Sequence, residues 1–207
     1  PVAQWKFDEG SGQTIYDSTD NNKDGYLASS TDVSASDPAW VSGKYGTALS
    51  FDNSNDYAST TVITSASTFS HSLWFKSSDG VYSANEYLFS QGTDDPSIYL
   101  GTNGKINVMA DAALKITSSR TILDTNWHYL EITADRKIIK LYLDSILESQ
   151  ASYTGSSATQ VFYIGAKDST PTSPFGGIID DVRIYNYART AEQIRQDYNA
   201  GLSTHFK

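Results

Sequence analysis

Apolar residues in this chain recur at every second position rather than every third or fourth, and that period restricts the fold to strands. The pattern opens at once: Val2-Ala3-Gln4-Trp5-Lys6-Phe7 alternates, and a polar stretch rich in Asp, Asn, Gly and Ser follows as far as Gly25. Further strands are expected at 48–51, 69–76, 87–90, 97–100, 105–110, 127–133, 138–143, 161–164 and 177–185. Turn chemistry separates them at Asp79-Gly80, Asn103-Gly104, Asp135-Arg136 and Asp144-Ser145. One segment reads as helix: Thr190 can cap 191–198, Ile194 and Tyr198 stand four apart, and Gly201 follows as a stop. No linker and no internal repeat divides the chain, so residues 1–207 form a single domain. About a dozen strands exceed what one open twisted sheet carries, so the expected fold is an all-β, two-sheet antiparallel β-sandwich with one short C-terminal helix. Trp5, Trp74 and Trp127 lie in strand patterns and read as packing residues, whereas Trp40 precedes the turn-like Ser42-Gly43-Lys44.

Charge then narrows the partners. Fifteen Lys and Arg against 24 Asp and Glu leave a net charge of −9, which repels phosphate backbones and anionic membranes and suits divalent cations. Nucleic acid is not an expected partner. No apolar run approaches the roughly 20 residues of a membrane span, and no basic segment followed by an apolar one opens the chain. The start at Pro1, two residues ahead of a strand, reads as a mature form or as a piece excised from a larger protein. There is no cysteine, so disulfides, thiolate metal sites and cysteine nucleophiles are excluded.

Five blocks of sequence carry a resemblance. AQWKFDEGSGQTIYDSTDNNKDGYL, GKYGTALSFDNSNDYAS, HSLWFKSS, NWHYLEITAD with the hairpin KLYLDSILES, and FGGIIDDVRIYNYARTAEQI together resemble the laminin-G-like jelly-roll domains of the concanavalin A-like lectin and glucanase superfamily. The resemblance implies two antiparallel sheets, commonly with calcium, in a binding module of secreted, cell-surface or viral proteins. An extracellular, cell-surface or virion-associated location follows as an expectation, beside other domains of a parent protein. One departure stands out: the family places Asp-Gly at the hairpin turn where this chain has Asp144-Ser145. Without that Gly a type I′ turn is less comfortable, so the register there is expected to differ.

For calcium, one structural ion is expected, because the cation takes six to eight oxygens from carboxylates, amides, carbonyls and water. Asp17, Asp20, Asn21, Asn22 and Asp24 share one polar loop, and Asp180 and Asp181 open the final strand motif. Strict alternation puts Asp180 on the face of Val182 and Ile184, where a carboxylate needs a partner. The resemblance points to the same Asp as a calcium ligand. Asp180 is therefore the first candidate, followed by Asp17, Asn22 and Asp24. The competing reading has Asp17 and Asp24 in Asx-turns and Asp180 paired with Arg183 or a loop. The first loop lacks the order of an EF-hand, and Asp52, Asn53, Asn55 and Asp56 form a second acidic group that could join the site or form a separate one.

Catalysis finds no pattern here. Asp144 and Glu148 straddle a turn, Asp8-Glu9 and Asp94-Asp95 are adjacent and so point to opposite faces, and Glu131 stands alone on its strand. His71, His128 and His205 form no triad or metal set. The expected function is a noncatalytic carbohydrate-binding or adhesion module, with a structural or protein-interaction domain as the alternative and a glycoside hydrolase third. The candidate ligand contacts are Tyr82, Asn85, Glu86, Asp94, Asp95 and Glu131, and the partner is a carbohydrate or a surface protein.

Overall fold

Alternating burial pairs the strands into two eight-stranded antiparallel sheets in the computed structural model, which describes residues 1–60, 63–64, 67–91, 96–155 and 159–203. The first sheet runs Ile146–Ser152, Ile138–Leu143, His128–Asp135, Thr68–Ser77, Gly176–Tyr185, Thr47–Asp52, Ala39–Ser42, with Ala3–Trp5 paired to Gly176–Tyr185 off that path. The second runs Ala113–Thr121, Lys105–Ala110, Ser97–Leu100, Glu86–Ser90, Tyr163–Ile164, Ala58–Thr60, Gly25–Leu27, Thr14–Ile15. Ile63–Thr64 and Thr159–Gln160 pair separately. The expected strands are present within a few residues of their expected ends. Strands at 113–121 and 146–152 did not stand out because most of their side chains remain accessible, so no apolar alternation marks them.

Between the sheets lies one continuous core, to which Leu73, Phe75, Leu130, Ile132, Ile179 and Val182 contribute from the first sheet and Leu27, Phe89, Ile98, Ile106, Val108 and Ile164 from the second. Each such side chain contributes about 1.5–3 kcal/mol by leaving water. Trp5 belongs to this core, stacks on Phe162 at 6.0 Å and donates its indole N–H to Lys23 O at 2.8 Å. Trp74 does not. It lies on the outer face of the first sheet with Tyr129, Tyr142 and Ile194, and half-buried Trp127 and Tyr198 pack against it.

That outer cluster explains the helix, Ala191–Ser203. Thr190 caps it reciprocally: Gln193 N–H donates to Thr190 Oγ1 at 3.3 Å and Thr190 N–H donates to Gln193 Oε1 at 2.9 Å. Gly201 is not the expected stop, because it lies inside the helix. A Cβ there would fall 2.6 Å from the Tyr45 hydroxyl and closer still to the Trp74 ring. The missing side chain lets the helix approach the indole.

The 144–145 turn keeps its geometry without glycine. Asp144 and Ser145 both adopt positive φ, 51° and 65°, with Leu143 opposite Ile146. The register shift falls higher up, between Leu141 and Tyr142. Asp144 compensates with its carboxylate: Oδ1 accepts from Tyr129 N–H at 3.0 Å, and Oδ2 lies 3.0 Å from His128 Nδ1 and 3.4 Å from Arg120 Nη1. Ser145 has no such compensation, so Ser145→Gly is expected to stabilise the domain by about 0.5–1 kcal/mol. A urea titration showing a higher midpoint at unchanged slope checks this.

Candidate functional site

A bulge in the final strand decides where Asp180 goes. Asp181 takes φ +49° and the pairing with Thr68–Ser77 shifts between Asp180 and Arg183. Ile179 and Val182 consequently both face the inter-sheet core. The expectation that Asp180 shares the face of Val182 and Ile184 is therefore corrected: it stands opposite Trp74 on the outer face, and is fully buried there.

Above Asp180 lies the turn between Ala39–Ser42 and Thr47–Asp52. Asp180 Oδ2 accepts from Tyr45 N–H at 2.9 Å, while Oδ1 is buried with no partner. A Cβ on Gly43 would fall 2.6 Å from Asp180 Oδ2, 2.7 Å from Tyr45 O and 2.8 Å from Thr47 O. One carboxyl and two carbonyl oxygens thus converge on a spot that only glycine leaves open, next to an unpartnered carboxyl oxygen. Burial, reinforced by the neighbouring charge of Asp181, pushes the Asp180 carboxyl up to about 7 against the pull of the Tyr45 N–H. Asp8 reaches the same turn, its Oδ1 accepting from Thr47 N–H at 3.2 Å. This donor set is hard oxygen throughout and fits calcium, which would hold Asp180 as carboxylate ligand with main-chain carbonyls beside it.

The other proposed ligands lie elsewhere. Asp17 Oδ1 accepts from the N–H groups of Gln4 and Thr19, both at 3.0 Å, and Oδ2 from Thr19 Oγ1 and Lys23 N–H, both at 2.9 Å. Burial works against its charge, but the bonds from Gln4, Lys23 and Thr19 outweigh it and hold the carboxyl below its usual range. Asp24 Oδ1 accepts from Asp17 N–H at 2.8 Å, and exposed Asn22 turns back toward Asp20 O at 3.4 Å. No hydrogen bond or ion pair joins Asp17, Asn22 or Asp24 to Asp180, and among the described residues no group of three or more His, Asp or Glu could hold a metal. Asp52 and Asp56 serve their own turn, with Asp56 Oδ2 accepting from Asp52 N–H at 3.0 Å.

The candidate ligand contacts are also dispersed. Tyr82 is buried, and Glu86 is buried with Oε2 accepting from Gly176 N–H at 3.0 Å and Oε1 from Asn53 Nδ2 at 3.3 Å. Asn85 alone of that patch is exposed, and Asp94 and Asp95 lie outside the described residues. Glu131 is completely buried beneath the helix. Its Oε2 accepts from the Tyr129 hydroxyl at 2.8 Å and lies 3.3 Å from Arg189 Nη1. Arg189 in turn pairs with Asp197 at 2.7 Å, donates to Gln193 O at 3.1 Å and stacks over Tyr185. Arg183 joins Asp197, at 3.0 Å, to Asp181, at 2.6 Å. Glu131 is therefore a structural carboxyl that pins the helix to the sheet, and it has no access to a ligand.

What the sequence reading missed is the outer face of the second sheet. Strand register aligns Thr14, Tyr26, Ser59, Tyr163, Ser90, Ser97, Met109 and Leu114 in one row across all eight strands. A neighbouring row carries Tyr87, Tyr99, Asn107 and Thr117, with Tyr87 stacked on Tyr99 at 5.0 Å. Both rows hold aromatic, hydroxyl, amide and apolar side chains and no carboxylate. Between Tyr26 and Tyr163 the face opens into a cavity of about 240 Å³, with Ser59 and Thr60 beneath and Ser29, Val161 and Ser169 around it. The available signal was Tyr or Ser alternating with core residues in GYL, AST and SIYL, but the pairing that lines them up is nonlocal.

A family model described as the concanavalin A-like lectin/glucanases superfamily, of laminin-G type, matches residues 51–195. The chain belongs to that superfamily. No curated protein sequence matches it. Solved structures share the fold of this concanavalin A-like domain over nearly all of the given chain. Domain 4 of AbnA, an extracellular arabinanase from Geobacillus stearothermophilus in complex with arabinotriose, is 22% identical, with a TM-score of 0.73 over 94% of this chain and 96% of that one. The binding domain of Paraclostridial Mosquitocidal Protein 1 is 17% identical, with a TM-score of 0.74 over 98% and 52%. That of botulinum neurotoxin DC, in complex with rat synaptotagmin II, is 11% identical, with a TM-score of 0.75 over 98% and 52%. This chain thus spans about half the length of the two toxin domains. Among the described residues, no helix is long and apolar enough to cross a membrane.

The concanavalin A-like fold also occurs in glycoside hydrolases, which act through two facing carboxylates. Asp144 and Glu148 do meet here, but around Arg120, which pairs with both. His71 is enclosed by Phe69, Phe89 and Phe162, and burial drives it down to about 3, so it is neutral. His205 lies outside the described residues. For His128, burial opposes the charge, but Asp144 and Asp124 outweigh it and raise the imidazole above its usual value. A raised folded value stabilises fully below the unfolded pKa of about 6.5 and loses that effect as pH rises through the folded value. Stability is accordingly expected to fall from pH 6 to 8, and His128→Gln to flatten that slope in melts recorded across the range.

Proposed function

We propose that this concanavalin A-like domain is a noncatalytic carbohydrate-binding module of a secreted or surface protein, with one structural calcium ion at Asp180. The observation that carries the carbohydrate reading is the outer face of the second sheet. Its tyrosines offer flat apolar surface with a polar rim, and serine, threonine and asparagine offer hydrogen bonds without charge, the mixture that a polyhydroxylated ring requires. The absence of carboxylates from both rows, and the use of Glu131, Glu86, Asp144 and Glu148 in packing and ion pairs, supports binding without hydrolysis. The arabinotriose bound to the arabinanase domain of like fold makes arabino-oligosaccharides the first probe. Calcium would supply positive charge to Asp180 and tie the final strand to the 43–47 turn.

A glycan array with saturable binding to one sugar class supports this reading, and a blank array at high protein concentration overturns it. A protein-interaction role is the second reading, favoured by exposed Leu114, Ile146 and Leu147 on strands that run side by side at the sandwich edge. Adhesion to a surface protein with a blank array would be its signature.

A further inference from the structure

We propose that the cavity between Tyr26 and Tyr163 is the sugar subsite, and that it takes a neutral ring rather than an acidic or sulfated one. This rests on the carbohydrate-binding reading and adds to it a location and a ligand class.

Three depressions among the described residues can be compared. One of about 340 Å³ is crossed by Lys6, Asp8, Asp181 and Arg183, and one of about 360 Å³ at the helix start by Asp135, Lys140 and Arg189. In the first Arg183 is paired with Asp181, and in the second Arg189 is held by Glu131 and Asp197. The third, of about 240 Å³, contains no Asp, Glu, His, Lys or Arg.

Its walls are built rather than incidental. Ser59 Oγ donates to Ala28 O at 2.6 Å and Ala28 N–H to Tyr57 O at 2.7 Å, which fixes the backbone just ahead of Ser29. On the other side Asp168 accepts from Thr170 Oγ1 at 2.7 Å and Thr172 Oγ1 at 3.0 Å, which holds the segment bearing Ser169. Tyr57 supports the Tyr163 ring from behind at 6.2 Å. Tyr26 and Tyr163 are themselves half-buried, in the same row on the strands either side of Ser59. Among the described residues no side-chain hydrogen bond engages Tyr26, Tyr163, Ser29 or Ser169, so four hydroxyls stand free around two aromatic rings. That arrangement gives an apolar platform to one face of a ring and hydrogen-bond partners to its rim. With no cation in the lining and a net charge of −9, nothing offsets the repulsion of a uronate or sulfate.

Titration calorimetry on the 207-residue chain tests this with arabinotriose, cellotriose, maltotriose and galactotriose as neutral probes and with galacturonate trimer and heparin hexasaccharide as anionic ones. At least one neutral trimer is expected to bind, with affinity that varies little between 50 and 500 mM salt. Tyr26→Ala and Tyr163→Ala should each weaken it at least about tenfold, whereas the Phe variants should stay within about threefold. Ser169→Trp, at an exposed position that leaves the core intact, should block binding with an unchanged melting temperature. Neutral binding that survives Tyr26→Ala and Ser169→Trp overturns the location while leaving the carbohydrate reading in place. Binding of the anionic probes alone overturns the ligand class, and no binding to any glycan, here or on the array, removes the carbohydrate reading and this subsite together.

Discussion

Calcium at a hundredfold excess over its Kd is expected to stabilise the metal-stripped domain by about 2.7 kcal/mol, from RT ln(1 + [Ca]/Kd). For a chain of this length that corresponds to roughly 5–10 °C in melting temperature. The physical source is local. Asp180 is buried with one oxygen unpartnered, and burial disfavours its charge. A bound cation would favour the ionised form of Asp180, with the carbonyls of the Gly43–Thr47 turn as further oxygen donors. Asp180→Ala should abolish the calcium-dependent rise. So should Gly43→Ala, because the new methyl would occupy the space between Asp180 Oδ2 and the carbonyls of Tyr45 and Thr47. Coincident melts in EDTA and calcium, together with a blank metal analysis, would falsify the calcium site and leave Asp180 an ordinary buried carboxyl accepting from Tyr45.

Arg189→Met is expected to cost about 3–5 kcal/mol, since it strips a buried carboxylate of its counter-charge while roughly keeping side-chain volume. Glu131 would remain fully buried, with only the Tyr129 hydroxyl to satisfy it. The melting temperature should fall by roughly 10 °C. Burial, opposed by Arg189 and Tyr129, already pushes Glu131 up to about 7. Such a raised acid is stabilising below its unfolded value and progressively less so as pH rises through the folded one. Loss of Arg189 should sharpen this, so the variant's deficit grows from pH 5 to pH 8. Glu131→Gln combined with Arg189→Met should recover part of the loss, the two residues being directly coupled. Tryptophan fluorescence follows the event, because the helix carrying Ile194 and Tyr198 covers Trp74. A single variant as stable as the parent at pH 8 would show that the helix docks through its apolar face alone.

The resemblance carried by the five blocks stands, and so does the sandwich with its C-terminal helix. These were legible because they rest on local signals. Alternation fixed most strands of four residues or more, and Thr190 as a cap marked the helix start. The short pairings at Thr14–Ile15, Gly25–Leu27 and Ala58–Thr60 were not legible, since two or three residues carry no period and are held by partners distant in sequence.

The site was read less well than the fold. Asp180 was singled out correctly as a buried carboxylate but placed on the wrong face, because a bulge at Asp181 inverts the alternation that a strand pattern assumes. Glu131 drew notice as a lone carboxylate on its strand, and its partner, Arg189, lies 58 residues away. Tyr82 and Glu86 looked like loop contacts and prove to be buried. By itself, then, the sequence determined that the chain forms a strand-built sandwich without disulfides, with an acidic surface and a capped terminal helix, because composition, period and capping act over a few neighbouring residues. Only the tertiary structure decided which carboxylates are consumed in ion pairs and turns, and that Tyr26, Ser59 and Tyr163 stand in one row, because register and burial are set by strands that meet across most of the chain.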